Sequence, residues 1–111
     1  MKILDLVTLL NLEVYGGKAG LENEINGGYT SDLLSDVMGN ANSGDLWITL
    51  QTHKNVIAIA SLKDLAAVLL INNNKPELDM LKQADEEGIP VLGTAMKSFE
   101  VSAKLYNLMN S

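Results

Sequence analysis

Arginine and cysteine are both absent from this 111-residue chain, and other reactive or rigid residues are scarce: one histidine, two prolines, one tryptophan and one phenylalanine. Without cysteine there is no disulfide framework, no thiolate metal site and no thiol nucleophile. The redox compartment is left open by this, and a reducing cytoplasm is the expected location. Without arginine there is no bidentate clamp for phosphate or carboxylate. Eight lysines face 14 acidic residues, a formal net charge of −6. That balance argues against nucleic-acid binding, which needs a cationic stripe to displace counterions from phosphates. No apolar run approaches the roughly 20 residues that span a bilayer, and the first ten residues are amphipathic, so the chain reads as soluble and unprocessed. Its length fits a single domain over residues 1–111 and is too short for a second, independent core.

What is present is an alternation of apolar runs and helical stretches. Ile3, Leu6, Val7 and Leu10 have the i, i+3, i+4, i+7 spacing of one helical face, ending near Asn11. Residues 12–15 make a short strand-like run closed by Gly16 and Gly17, and an irregular stretch follows, punctuated by Gly27 and Gly28. From Asp45 the pattern becomes regular: strands over 46–50, 66–71 and 89–92, with continuous apolar character that fits burial on both faces. Residues 55–64 are rich in β-branched side chains but read as a helix, because a parallel crossover needs about a dozen residues. A helix over about 75–87 has Asn74 as its cap, Pro76 in its first turn, Gly88 at its end and Leu78, Leu81 and Ala84 as its buried stripe. The last helix runs from Ser98, as cap, to about Met109, with a wide apolar face in which Phe99, Ala103 and Tyr106 lie beside Val101, Leu105 and Leu108. The expected fold is α/β: a three-layer α/β/α domain with a mostly parallel sheet.

In such a sheet ligands gather at the carboxyl ends of the strands. The loops there carry Gln51, Thr52 and His53, then Asn72, then Thr94. These five residues either line one polar pocket for an anionic or polar ligand, or serve as turn and cap residues. His53 is the only histidine, and no serine, cysteine or second histidine stands at a spacing that completes a catalytic set. Ser31-Asp32 and Ser35-Asp36 repeat at an interval of four, so in a helix Asp32 and Asp36 share a face. Such a pair, with its hydroxyls, is the oxygen set of a hydrated Mg²⁺, but serine-aspartate pairs also cap helices, and capping is the preferred reading. The Gly39–Gly44 spacing imitates a phosphate loop. Asp45 and Leu46 stand where that motif needs Lys and Ser or Thr, and a strand follows where a helix is required, so it is rejected.

Three stretches carry a family resemblance: Gly27-Gly28-Tyr29-Thr30-Ser31-Asp32-Leu33-Leu34-Ser35-Asp36-Val37-Met38, Gly44 through His53, and Ala84 through Thr94. Together they resemble the small stand-alone DRTGG domain proteins, and the closing segment is also similar to the amino-terminal domain of HPr kinase/phosphorylase. The family also occurs as a regulatory insert in some pyrophosphatases, beside CBS domains, and in some phosphotransacetylases. The resemblance implies an α/β/α domain that pairs with itself and serves in regulation, without an activity of its own. The namesake Asp-Arg-Thr-Gly-Gly string is absent here, so no role passes to its arginine. The kinase activity associated with the HPr relative belongs to a separate P-loop domain that this chain does not carry.

The expectation is therefore a non-catalytic regulatory or small-ligand-binding domain, a homodimer, with no metal or other cofactor and no nucleic-acid or membrane partner. A small polar or nucleotide-like ligand would sit near Gln51, Thr52, His53, Asn72 and Thr94, with Asp32 and Asp36 nearby. The alternative is an accessory subunit or enzyme of phosphotransfer using His53, or an Asp with magnesium.

Overall fold

The computed structural model describes residues 1–111. In chain order the elements are α1 (Ile3–Leu10), β1 (Glu13–Gly16), a 3₁₀ turn (Lys18–Gly20), β2 (Gly27–Thr30), α2 (Leu34–Asn40), β3 (Asp45–Thr49), α3 (Asn55–Leu62), β4 (Ala67–Leu70), α4 (Leu78–Glu87), β5 (Val91–Gly93) and α5 (Ser98–Met109). The strands form one sheet in the order β1-β5-β4-β3-β2. Pairings β2·β3, β3·β4 and β4·β5 are parallel, and only β1·β5 is antiparallel. The architecture is the mostly parallel three-layer α/β fold expected.

Period-two alternation sorts the strand side chains between two cores. Leu46, Ile48, Ala67, Leu69 and Leu92 meet Ile3 and Leu6 of α1 and Val101 and Leu105 of α5. Trp47, Val68, Leu70 and Val91 meet Val37 of α2, Val56, Ile57 and Ala60 of α3, and Met80 and Ala84 of α4. Every residue of β3, β4 and β5 is buried, which is why these strands read as unbroken apolar runs.

Three helical expectations need correction. The fourth helix begins at Leu78, and neither Asn74 nor Pro76 belongs to it. Asn72 and Asn73 take left-handed backbone (φ 57° and 58°), and the Asn74 N–H closes that turn on the Ile71 carbonyl. Pro76 then keeps the preceding residue extended, and the Glu77 N–H goes to the Thr52 carbonyl of the neighbouring loop at 3.1 Å. Its buried face also differs from the expected stripe: Met80 and Ala84 are buried, whereas Leu78 is 85% exposed. On α5, Val101 and Leu105 are buried, but Phe99, Ala103 and Tyr106 face outward, and Lys97 rather than Ser98 holds the cap position.

The acidic run after Ala84 has a structural use. Asp85 accepts the Gly17 N–H at 2.7 Å, tying α4 to the end of β1, and Glu87 accepts from the Ser61 hydroxyl of α3 at 3.2 Å. Gly17 sits at φ 68°, and a Cβ there would lie 1.9 Å from the Ile89 carbonyl oxygen.

Candidate functional site at the carboxyl edge of the sheet

Four loops converge at the carboxyl edge of the parallel strands, carrying residues 31–33, 50–54, 71–77 and 94–97. Asp32 ties the first two together. Its carboxylate accepts the Thr49 hydroxyl at 2.9 Å and the Leu50 N–H at 2.7 Å, while the Gln51 amide donates to its backbone carbonyl at 2.9 Å. Thr49 is buried, and its oxygen also accepts the Gln51 N–H at 3.2 Å.

The second and third loops meet through Thr52, His53 and Glu77. The Thr52 carbonyl takes the Glu77 N–H, and Glu77 places its carboxylate 2.5 Å from His53 Nδ1. The two side chains are 60% and 48% exposed, so the pair orients the imidazole without isolating it from water. The third and fourth loops are zipped by backbone hydrogen bonds. Asn72 N–H donates to Met96 O at 3.0 Å, Asn73 N–H to Thr94 O at 2.9 Å, and Thr94 N–H to Leu70 O at 3.0 Å. Within the last loop the Thr94 hydroxyl accepts the Met96 N–H at 3.2 Å.

This zipper falls at an informative place. The connections after β2, β3 and β4 all leave for the face of α2, α3 and α4, whereas the connection after β5 leaves for the face of α5. The point where neighbouring connections part to opposite faces, the usual ligand position in open α/β sheets, therefore lies between β4 and β5, where the Asn72 and Thr94 loops are bonded to each other. The cations of this edge are Lys54, Lys75 and Lys97. Lys75 donates to the Tyr15 hydroxyl at 3.0 Å and lies 3.9 Å from the Glu13 carboxylate. The Tyr15 hydroxyl, followed by the charge on Glu13, holds this ammonium above the ordinary lysine range against the opposing effect of desolvation.

Six of the seven expected site residues, Asp32, Gln51, Thr52, His53, Asn72 and Thr94, thus stand on one edge. Asp36 does not join them. Asp32 lies ahead of α2 and Asp36 within its first turn, so the two do not share a helical face. Both Asp36 oxygens accept the Tyr29 phenol at 2.9 Å, and one accepts the Asn40 amide at 2.9 Å. The Ser31 hydroxyl and the Tyr29 phenol, with Asn40, hold the Asp36 carboxyl below the usual carboxylate range, and the same contact raises the Tyr29 phenol. No group of three His, Asp or Glu side chains is placed to hold a metal ion.

Sequence reasoning missed Thr49, Glu77 and Lys75 as partners of this edge, because each is brought in by a contact between segments far apart in the chain. It also missed a cleft of about 440 Å³ between β2 and α5 lined by Gly27, Gly28, Thr30, Ser102, Leu105 and Tyr106 among others. None of the seven expected residues lines it. The only sequence signal for it is the Gly27-Gly28 pair, which reads equally as a turn.

No family model matches the chain, and no curated protein matches it. Eight solved chains do match in structure. One is the crystal structure of the CBS and DRTGG domains of the regulatory region of Clostridium perfringens pyrophosphatase, complexed with the activator diadenosine tetraphosphate. The TM-score is 0.66 at 14% sequence identity, over 94% of this chain and 45% of that one. The likeness is one of fold, and it agrees with a DRTGG-like domain. No helix is long and apolar enough to cross a membrane.

Proposed function

We propose that this chain is a non-catalytic regulatory domain that takes a small polar or nucleotide-like effector at the carboxyl edge of its sheet. The observation that carries the reading is how the polar side chains of that edge are used. Asp32 and Gln51 bond the first two loops together, backbone hydrogen bonds join the Asn72 and Thr94 loops, and His53 leans on Glu77. Loops cross-braced in this way fit a site that responds to an occupant by shifting loop positions, and no nucleophile is paired to a base among them. Lys54 and Lys97 at the starts of α3 and α5 supply charge for an anionic group. The fold shared with a pyrophosphatase regulatory region, one crystallised with a dinucleotide activator, supports the regulatory reading. Since the chain spans 45% of that structure, the effector is a matter for experiment.

Thermal unfolding followed with diadenosine tetraphosphate, ATP and AMP, each with and without Mg²⁺, tests the reading. Saturation at 100 times Kd stabilises a binder by about 2.7 kcal/mol. The shift should shrink in a Gln51→Ala, His53→Ala double variant. No shift with any of these nucleotides, or an identical shift in the double variant, sinks it.

The contact between His53 and Glu77 favours a second reading, phosphotransfer with His53 as an oriented base. Loss of a measured phosphoryl turnover in His53→Ala would replace the first reading with this one. The chain is further proposed to act as a homodimer, in line with its DRTGG-like character and with large apolar side chains left exposed at Leu33, Leu62 and Phe99. Light scattering that shows a monomer at micromolar concentration contradicts the dimer.

A further inference from the structure

The two edges of the sheet are treated differently. An edge strand presents unpaired N–H and C=O groups that template the addition of another strand, and proteins blunt such edges with charge, bulges or covering elements. The β1 edge is blunted. Its pairing with β5 shifts register between Val14 and Gly16, Glu13 stands beside Lys75, and Asp85 of α4 takes the Gly17 N–H at its end. The β2 edge, Gly27-Gly28-Tyr29-Thr30, has no charge, no proline and no register shift against β3. Ser31 N–H bonds Ile48 O toward β3, while Thr49 O takes the Ile71 N–H on the β4 side, so in the register of Tyr29 with Trp47 the alternation of a parallel ladder turns Gly27 and Tyr29 inward. Gly28 and Thr30 then direct their N–H and C=O groups to the open side.

Beside that open edge runs the cleft of about 440 Å³. Gly28 is what brings its helical wall close, since a Cβ there would lie 2.7 Å from Leu105 Cδ2. One wall is β2, about 13 Å long at strand rise. The other is the stretch of α5 from Ser102 to Met109, about 11 Å long at helical rise. Each matches about four residues of extended chain. No charged side chain lines the cleft, and Leu105, Tyr106 and Met109 give it an apolar wall. At the Asn26 end the surface continues into a recess of about 240 Å³ lined by Glu24 and Asp64 and by no lysine. Glu24 is met from the side by the Met1 ammonium at 3.1 Å, while Asp64 has only the Ser43 hydroxyl at 3.1 Å as a side-chain donor.

We propose that the free β2 edge and this cleft form a docking groove for an extended peptide segment of another protein, with apolar side chains at alternate positions and a lysine or arginine at the end that reaches Glu24 and Asp64. The backbone row selects a strand, the period of two sends every second side chain of that strand toward α5, and the acidic recess selects a basic terminus. A second copy of β2 is the poorer occupant. Half of its residues are glycine, so a self-paired ladder lacks the cross-strand contacts that stabilise sheets and sends no apolar side chain into the cleft.

A phage-displayed library of linear heptapeptides, panned on the full chain, tests this. Counter-selection uses Ser102→Trp, which fills the cleft, and Tyr106→Lys, which puts a cation at its mouth from an exposed position; both are first checked for unchanged melting. Enriched peptides should alternate apolar residues and end in a basic one. A synthetic copy should shift the amide resonances of Gly28, Tyr29 and Thr30 and slow hydrogen exchange at Gly28 and Thr30. N-methylation of the peptide amides that face β2 should weaken binding about tenfold, and exchanging its basic residue for glutamate should weaken it further. The proposal is overturned if nothing is enriched beyond the two counter-selections, if enriched peptides leave the β2 amides unshifted, or if N-methylation has no effect. It is equally overturned if the free chain is a dimer whose Gly28 and Thr30 amides are already protected, which would assign the edge to a second copy.

Discussion

The carboxylates of this chain separate by what donates to them. Asp36 accepts hydrogen bonds from the Tyr29 phenol and the Asn40 amide and lies beside the Ser31 hydroxyl, and its folded pKa is lowered. A lowered folded value means that its stabilising share is present above the unfolded pKa and is lost as pH falls through the folded one. Urea titrations between about pH 3 and pH 6 should therefore show a shallower acid loss of stability in Asp36→Asn than in the parent, with Tyr29→Phe between them. Tyr29 gives the opposite sign: its raised phenol stabilises below the unfolded value and loses that share as pH climbs through the folded one. Equal acid limbs in all three proteins would remove Asp36 from the account. Gly17 makes a second prediction at this scale. Its left-handed backbone and a Cβ position 1.9 Å from the Ile89 carbonyl leave no room for a side chain, so Gly17→Ala should cost more than about 2 kcal/mol in chemical denaturation.

At the scale of elements, legibility followed burial. The runs ending at Thr49, Leu70 and Gly93 were plain in the sequence because strands covered on both faces leave no polar interruptions. Likewise α3 was assigned over its β-branched residues by the length a crossover needs. What the sequence did not disclose was set by contacts between separate loops. The Glu77 N–H is drawn to Thr52, so α4 starts three residues later than its Pro76 and Asn74 signals suggest. The candidate site was legible to the same degree: the strand-end rule found the edge, but not its bracing by Thr49 and Glu77, and the spacing of Asp32 and Asp36 misled because a loop replaces the first helical turn. The buried face of α4 is testable. Met80→Ala should cost about 2 to 5 kcal/mol as a fully buried truncation. Leu78→Ala, at a side chain 85% exposed, should stay within about 0.5 kcal/mol of the parent. The reverse order would restore Leu78, Leu81 and Ala84 as the buried stripe.

For the molecule as a whole, the question is whether the two cores behave as one. Each contains 13 buried residues, and they lie on opposite faces of the same strands. Neighbouring residues of one strand serve different cores: Leu46 and Ile48 point to α1 and α5, while Trp47 between them points to α2, α3 and α4. Neither cluster can lose its sheet side without exposing the other, because the backbone that carries both is shared. Unfolding should accordingly be a single cooperative transition. Trp47, the only tryptophan, is fully buried, and its indole N–H donates to the Ser31 carbonyl at 2.8 Å. Its emission therefore reports the core under α2–α4, whereas far-UV circular dichroism reports all five helices. The two signals should superimpose through a urea titration, with one midpoint and one slope. An emission change that precedes the loss of helix would mean that the three-helix face opens first, leaving α1 and α5 on a sheet still formed.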